Sequence, residues 1–245
     1  MSILSDFRDK AEVLDFCDLA YVPMPKQGNG YTREGKRRTD RQIPKLIQKC
    51  VVDGGLCSNK KLYENVVKST MLVSKYPDVL LAFELEGRWP DSARFGAVHR
   101  GHEDLTRKID KWFQEAGYIS SCEYYSHKLI DESMGFFWIH STLPEGELKE
   151  KMSQNWVLQH LDLIHYYFSS KYPDRTNPHL LNGFFKRKTI QVLKLTAQGL
   201  SSKEISEHLY ITPRGVNYHV DRAKEKLGAT NKAELISLAK KHLLL

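Results

Sequence analysis

Apolar residues in the last quarter of the chain recur at helical spacing. Between Pro213 and Leu227 the positions Val216, Val220, Ala223 and Leu227 make one narrow stripe of a helix with 3.6 residues per turn. About half a turn away, Arg214, Asn217, Tyr218, Asp221 and Arg222 share a face. These planar, hydrogen-bonding and aromatic groups stand where a solvent-facing helix usually carries Lys and Glu. The surrounding punctuation predicts three companion helices. One runs over 186–198 and stops at Gly199, where a left-handed residue is cheap. A short one opens at Ser201 with Glu204 three residues on, the spacing of a capping box. Thr212-Pro213 then caps the helix described above, and Gly228 closes it. Asn231 and Glu234 repeat the capping spacing and open a last helix, 232–242. The middle pair, with its brief connection at 210–212, has the proportions of a helix-turn-helix.

Upstream the pattern changes. Short strand-like runs lie at Asp78–Glu86, Cys122–His127 and Gly135–Leu143, and helical patterns fill Ile3–Asp18, Leu62–Ser74 and Leu105–Ala116. Pro144 opens a long amphipathic helix, Glu145–Phe168, with Leu148, Met152, Trp156, Ile164 and Phe168 along its stripe. Pro173, Pro178 and Gly183 then break helical propagation. The expected fold class is α+β, in two domains. An α/β/α sandwich-like sensor and dimerisation domain spans 1–170, a linker 171–183, and an all-α tetrahelical helix-turn-helix domain 184–245.

Charge sharpens this division. Residues 181–245 hold 12 Lys/Arg against 5 Asp/Glu, whereas the first 180 residues hold 25 of each, so the whole net charge of +7 lies in the tail. A concentrated basic field suits a polyanion, because phosphate neutralisation releases condensed counterions. Four separated cysteines encode neither a zinc knuckle nor a disulfide frame. The charged N-terminus does not read as a signal peptide, and no apolar run has bilayer-spanning length, so a cytoplasmic protein is expected.

The tail resembles the DNA-binding domain of the LuxR/GerE-type transcription regulators. The matching residues are Val192-Leu193, Gly199-Leu200-Ser201, Lys203-Glu204-Ile205, Leu209, Ile211-Thr212-Pro213-Arg214, Val216, His219-Val220, Lys226-Leu227-Gly228 and Asn231-Lys232. The resemblance implies a tetrahelical domain whose third helix enters the major groove of double-stranded DNA, and a fourth helix that pairs two protomers. Its base-facing positions fall here on Asn217, Tyr218 and Asp221, on the face already set apart by periodicity. By their chemistry, Asn217 suits adenine, Asp221 a cytosine amino group, and Arg222 guanine or a phosphate. Lys203, Thr212, Arg214 and Lys226 are expected on phosphates, fixing register without reading sequence. His219 flanks the apolar stripe and is expected to pack or to face phosphate. Two positions depart from the family pattern. Gly215 stands where threonine is usual, loosening the first turn, and Thr189 where glutamate is usual, removing an ionic tie.

Other motifs weigh less. Gly30-Tyr-Thr-Arg-Glu-Gly35-Lys36 begins like a P-loop, but Arg37 replaces the required hydroxyl. The surrounding segment reads better as a solvated basic loop. Trp89-Pro90-Asp91 lacks a matching Cys–Arg loop, and His99, His102 and Glu103 lack a further histidine for a metal. Asp53 has no early acidic pair to make a receiver domain. Tyr124, Tyr125, Phe136, Phe137 and Trp138 read as core before pocket. No metal, cofactor or catalytic set is expected. The expectation is a bacterial regulator acting as a homodimer on DNA, with room for an unidentified small-molecule ligand in the N-terminal domain. The rival is a protein-interaction module or ligand sensor whose tail contacts another regulator or polymerase.

Overall fold

The computed structural model describes residues 2–25, 42–76, 91–95, 102–127, 133–177, 180, 185–241 and 244–245. It contains a mixed α/β N-terminal part built on a sheet and a helical C-terminal part. The sheet is antiparallel and has the order β2-β1-β5-β4-β3 among the described residues, with β1 Asp18–Pro25, β2 Leu56–Cys57, β3 Arg94–Phe95, β4 Ser120–Ser126 and β5 Ser133–Ser141. β5 is central and pairs with β1 along eight positions, from Asp18 opposite His140 to Pro25 opposite Ser133.

Both faces of the sheet are covered, and the two-residue period of the strands sorts the side chains. On one face Leu19, Tyr21, Tyr124, Phe137 and Ile139 pack under α1 (Ile3–Ala11), α5 (Glu145–Ser153) and α6 (Asn155–Lys171). On the other, Ala20, Val22, Phe136 and Trp138 meet α2 (Gln42–Gly54), α3 (Lys60–Val73) and α4 (Glu103–Glu115). A register slip of one residue between β1 and β5 would exchange these two sets, so register is strongly specified.

The structure revises several sequence expectations. The helix expected over Glu145–Phe168 is two, because Gln154 is extended at φ −72, ψ 121. This break turns the register so that Val157 enters the core, fully buried, while Trp156 stays 47% exposed. The helix expected to reach Asp18 ends at Ala11, because Asp18 already belongs to β1. β1 itself escapes a pattern search, since Pro23 and Pro25 interrupt it. Both lie beyond Ala20 and Tyr21, the two positions that pair with β2, where a missing N–H is tolerated. The aromatic set splits, Tyr124 and Phe137 to one core and Phe136 and Trp138 to the other, so it forms core packing and not one pocket wall. Asp53 ends no strand; it lies on α2 and pairs with Lys49 at 2.9 Å. The expected strand Asp78–Glu86, the Gly30–Lys36 loop, Trp89-Pro90 and His99 lie outside the described residues.

Two buried polar groups tie this fold to pH. Asp6 on α1 is 4% exposed and accepts hydrogen bonds from Tyr167 at 2.8 Å, Lys171 at 2.7 Å and Tyr172 at 2.8 Å. Burial alone would raise its pKa, but these donors outweigh that and hold it down at about 2. His140 on β5 is 2% exposed and stacks on Phe113 with centroids 4.0 Å apart. Tyr118 and Trp138 are its other ring neighbours, and neither ring nitrogen has a hydrogen-bond partner among the described residues. Burial depresses its pKa to about 3, against a weaker opposing pull from Asp18.

Two predictions follow from these environments. Asp6→Asn keeps the shape but removes the charged acceptor for three donors. It is expected to cost about 2–3 kcal/mol in urea unfolding at pH 7. For His140 the folded pKa lies below the unfolded value, so the unfolded chain binds the extra proton first. Its contribution is complete above about pH 6.5 and is lost as pH falls towards 3, by something on the order of 4 kcal/mol. His140→Phe is expected to flatten that limb of the stability curve. A curve unchanged between pH 6.5 and 4 would contradict the assignment.

Candidate DNA interface

A short helix, α7 (Pro173–Thr176), precedes the helical part, which comprises α8 (Arg187–Ala197), α9 (Ser202–Leu209), α10 (Pro213–Leu227) and α11 (Lys232–Lys241). The caps of its first three helices are those expected from sequence. Gly199 adopts φ +90 and Gly228 φ +71. Ser201 and Glu204 form a reciprocal capping box. The Thr212 side chain accepts from the Gly215 N–H at 3.0 Å, which caps the first turn of α10. At the last helix Asn231 accepts from the Glu234 N–H, but the Glu234 carboxylate reaches Thr230 instead of Asn231.

Two small cores hold the four helices. Val192, Ile205 and Val216 form one; Phe185, Ile190, Leu193, Ala223, Leu235, Ala239 and Leu244 form the other, with Val220 packed against both. Val216 and Ala223 are fully buried, so α10 has its stripe turned inward. The opposite face is therefore outward. Asn217 is exposed, Tyr218 is 60% exposed, and the Asp221 and Arg222 side chains are 69% and 45% accessible. Lys203, Thr212 and Arg214 are exposed as well. Lys226 is half-buried, its Nζ 5.3 Å over the Phe185 ring, near the start of the domain.

The outward side chains already have partners on their own surface. Asp221 pairs with Lys224 at 3.1 Å and Arg222 with Glu225 at 3.2 Å. Exposed pairs of this kind are worth a few tenths of a kcal/mol and exchange readily for another charged surface. Asn217 Oδ1 accepts from the Ser202 Oγ–H at 2.7 Å, across the junction of α9 and α10. Lys188 Nζ donates to the Leu209 carbonyl at 3.3 Å, at the end of α9. The next residue, Tyr210, is left-handed at φ 53 and 96% exposed. Periodicity missed Ser202 and Lys188, because their partners depend on how helices cross. The capping pattern marked Ser201 and was silent on its neighbour.

At Thr189 a hydrogen bond links two helices. Thr189 Oγ1 and His219 Nδ1 hydrogen-bond at 3.0 Å, joining α8 to α10. Burial, then the charges of Lys186 and Lys188, hold the His219 pKa below its ordinary value. Other motifs weighed in the sequence find ordinary places. Cys122 is buried, which pushes its thiol up to about 12, and His102 packs edge-on to Tyr76. Among the described residues no group of three potential ligands could hold a metal ion, and no helix is long and apolar enough to cross a membrane.

Residues 186–239 match the family described as bacterial regulatory proteins, luxR family. This segment is a luxR-family domain. The chain is 39% identical over 57 residues to the Bordetella pertussis virulence factors putative positive transcription regulator BvgA, covering 23% of this chain and 27% of that protein. It is 30% identical over 83 residues to the Staphylococcus aureus oxygen regulatory protein NreC, covering 34% of this chain and 38% of that one. The chain thus spans between a quarter and two fifths of the length of these relatives. A crystal structure of Escherichia coli SdiA aligns over all of this chain and 93% of its own, at 16% identity and a TM-score of 0.42. SdiA in complex with octanoyl-rac-glycerol aligns over 98% and 89%, at 15% identity and a TM-score of 0.38.

The luxR-family domain carries a test of its internal tie. Thr189→Glu places a carboxylate beside His219, which favours the imidazolium. The His219 pKa is expected to rise by about one unit in an NMR titration of the ring protons. An unmoved titration would show that the two side chains do not meet.

Proposed function

We propose that the chain is a sequence-specific, DNA-binding transcription regulator of the LuxR type, acting in the cytoplasm as a homodimer. In this reading α10 lies in the major groove. Asn217, Tyr218, Asp221 and Arg222 meet base edges, while Lys203, Thr212, Arg214 and Lys226 hold phosphates. The free N–H groups at the start of α10 add to the phosphate-binding surface near Thr212. The N-terminal sheet domain supplies dimerisation and room for a small-molecule signal. The chain then carries out no catalysis of its own.

The observation that carries the reading is the outward face of α10. A helix whose stripe is buried at Val216 and Ala223 presents Asn217, Tyr218 and Asp221 to solvent, inside a segment that matches the luxR family. The net charge of the chain, +7, comes entirely from residues 181–245 and gives that face a polyanion-attracting field.

The test is fluorescence anisotropy of the full chain on selected and random duplexes across a salt series. Asn217→Ala or Asp221→Ala is expected to relax preference at one base pair by about 1–3 kcal/mol while leaving random-DNA binding intact. Lys203→Ala is expected to weaken binding to all sequences alike and to reduce the salt slope by about one. Absence of salt-dependent DNA binding would remove the reading and favour a protein-interaction module.

A further inference from the structure

An asparagine amide is a two-faced reader: it offers one acceptor and one pair of donors, and a half-turn about its last bond exchanges them. An unanchored Asn at a base-reading position must also give up side-chain freedom when it meets a base. Asn217 is anchored. The Ser202 hydroxyl, from the first turn of α9, donates to its Oδ1 at 2.7 Å. Ser202 is free for this, because the neighbouring Ser201 performs the capping of α9 with Glu204. It is half-buried where α9 meets α10, while Asn217 is exposed.

We propose that Ser202 is a positioning residue for base recognition, a reading that rests on the DNA-binding function inferred above. Its hydroxyl hydrogen-bonds the amide of Asn217 and restrains the side chain to one position beside α9. The second lone pair of Oδ1 and the Nδ2–H groups remain available. The amide thus meets a base-edge donor and a neighbouring base-edge acceptor from one held position. Adenine, with its N6 amino group beside N7, offers such a neighbouring pair in the major groove. The device links the two helices of the motif: the first sets the position from which the second reads.

Selection from a random double-stranded DNA library by the full chain, followed by sequencing, tests this. If the wild-type chain selects no sequence, the DNA-binding reading itself falls. If it does select one, the Ser202→Ala chain is expected to bind it with an unchanged salt slope, but with preference at a single base pair relaxed three- to tenfold. Ser202→Thr, which keeps the hydroxyl, is expected to restore that preference. In the Asn217→Ala background, Ser202→Ala is expected to have no further effect, which a general loss of domain stability would not produce. Equal discrimination at every position by wild type and Ser202→Ala would overturn the proposal.

Discussion

The helical domain depends on one packing constraint: α10 has a single narrow apolar stripe and must bury it. Val216 closes one small core with Val192 and Ile205, and Ala223 closes the other with Leu193 and Leu235. Burying a valine side chain is worth about 2 kcal/mol, so rotation about the helix axis is strongly opposed. The caps act on the remaining freedom, translation along the axis. Thr212 fixes the start and the left-handed Gly228 the end. A helix pinned in both senses has no choice about its outward face. Placement of Asn217, Tyr218 and Asp221 in solvent is thus a consequence of where the alanine and valines lie.

The N-terminal domain obeys a different constraint. β5 has neighbours on both edges and helices on both faces, so its alternate residues are committed to separate cores. Polar groups enter this interior only on restrictive terms. Asp6 is tolerated because three donors converge on it. His140 is tolerated as a neutral ring among aromatics, and its proton affinity falls accordingly. Asp18 sits at the edge of the same layer, accepting from Ser58 at 2.5 Å and Tyr118 at 2.9 Å. The two domains meet at a cleft of about 480 Å³ lined by Lys49, Val52 and Asp53 of α2 and by Asp174, Arg175, Leu180, Phe185 and Arg187. α2 therefore touches both the sheet core, through Cys50 and Val51, and the approach to the helical domain.

Legibility in the sequence followed the range of the interactions. Helix ends in the tail were readable because caps are local: Ser201 with Glu204, Thr212 with Gly215, and Gly199 and Gly228 each act within a few residues. The outward face of α10 was readable because periodicity is local too. The break at Gln154 was not, since the apolar pattern runs through it and only the competing demands of Met152 and Val157 for the same core reveal it. β1 was hidden by prolines that are harmless only because β2 is two residues long.

By itself, the sequence determined the class of the two halves, the caps and stripe of α10, and the concentration of positive charge in the tail. Each of these is a property of neighbouring residues or of composition. Tertiary structure alone decided that Ser202 holds Asn217, that Lys188 closes α9 at Leu209, that Thr189 meets His219, and that Asp6 gathers three donors from the far end of the domain. These pairs are separated by 15 to 166 positions and share no periodic signal. Their geometry comes from helix crossings and sheet packing, which the side chains specify only collectively.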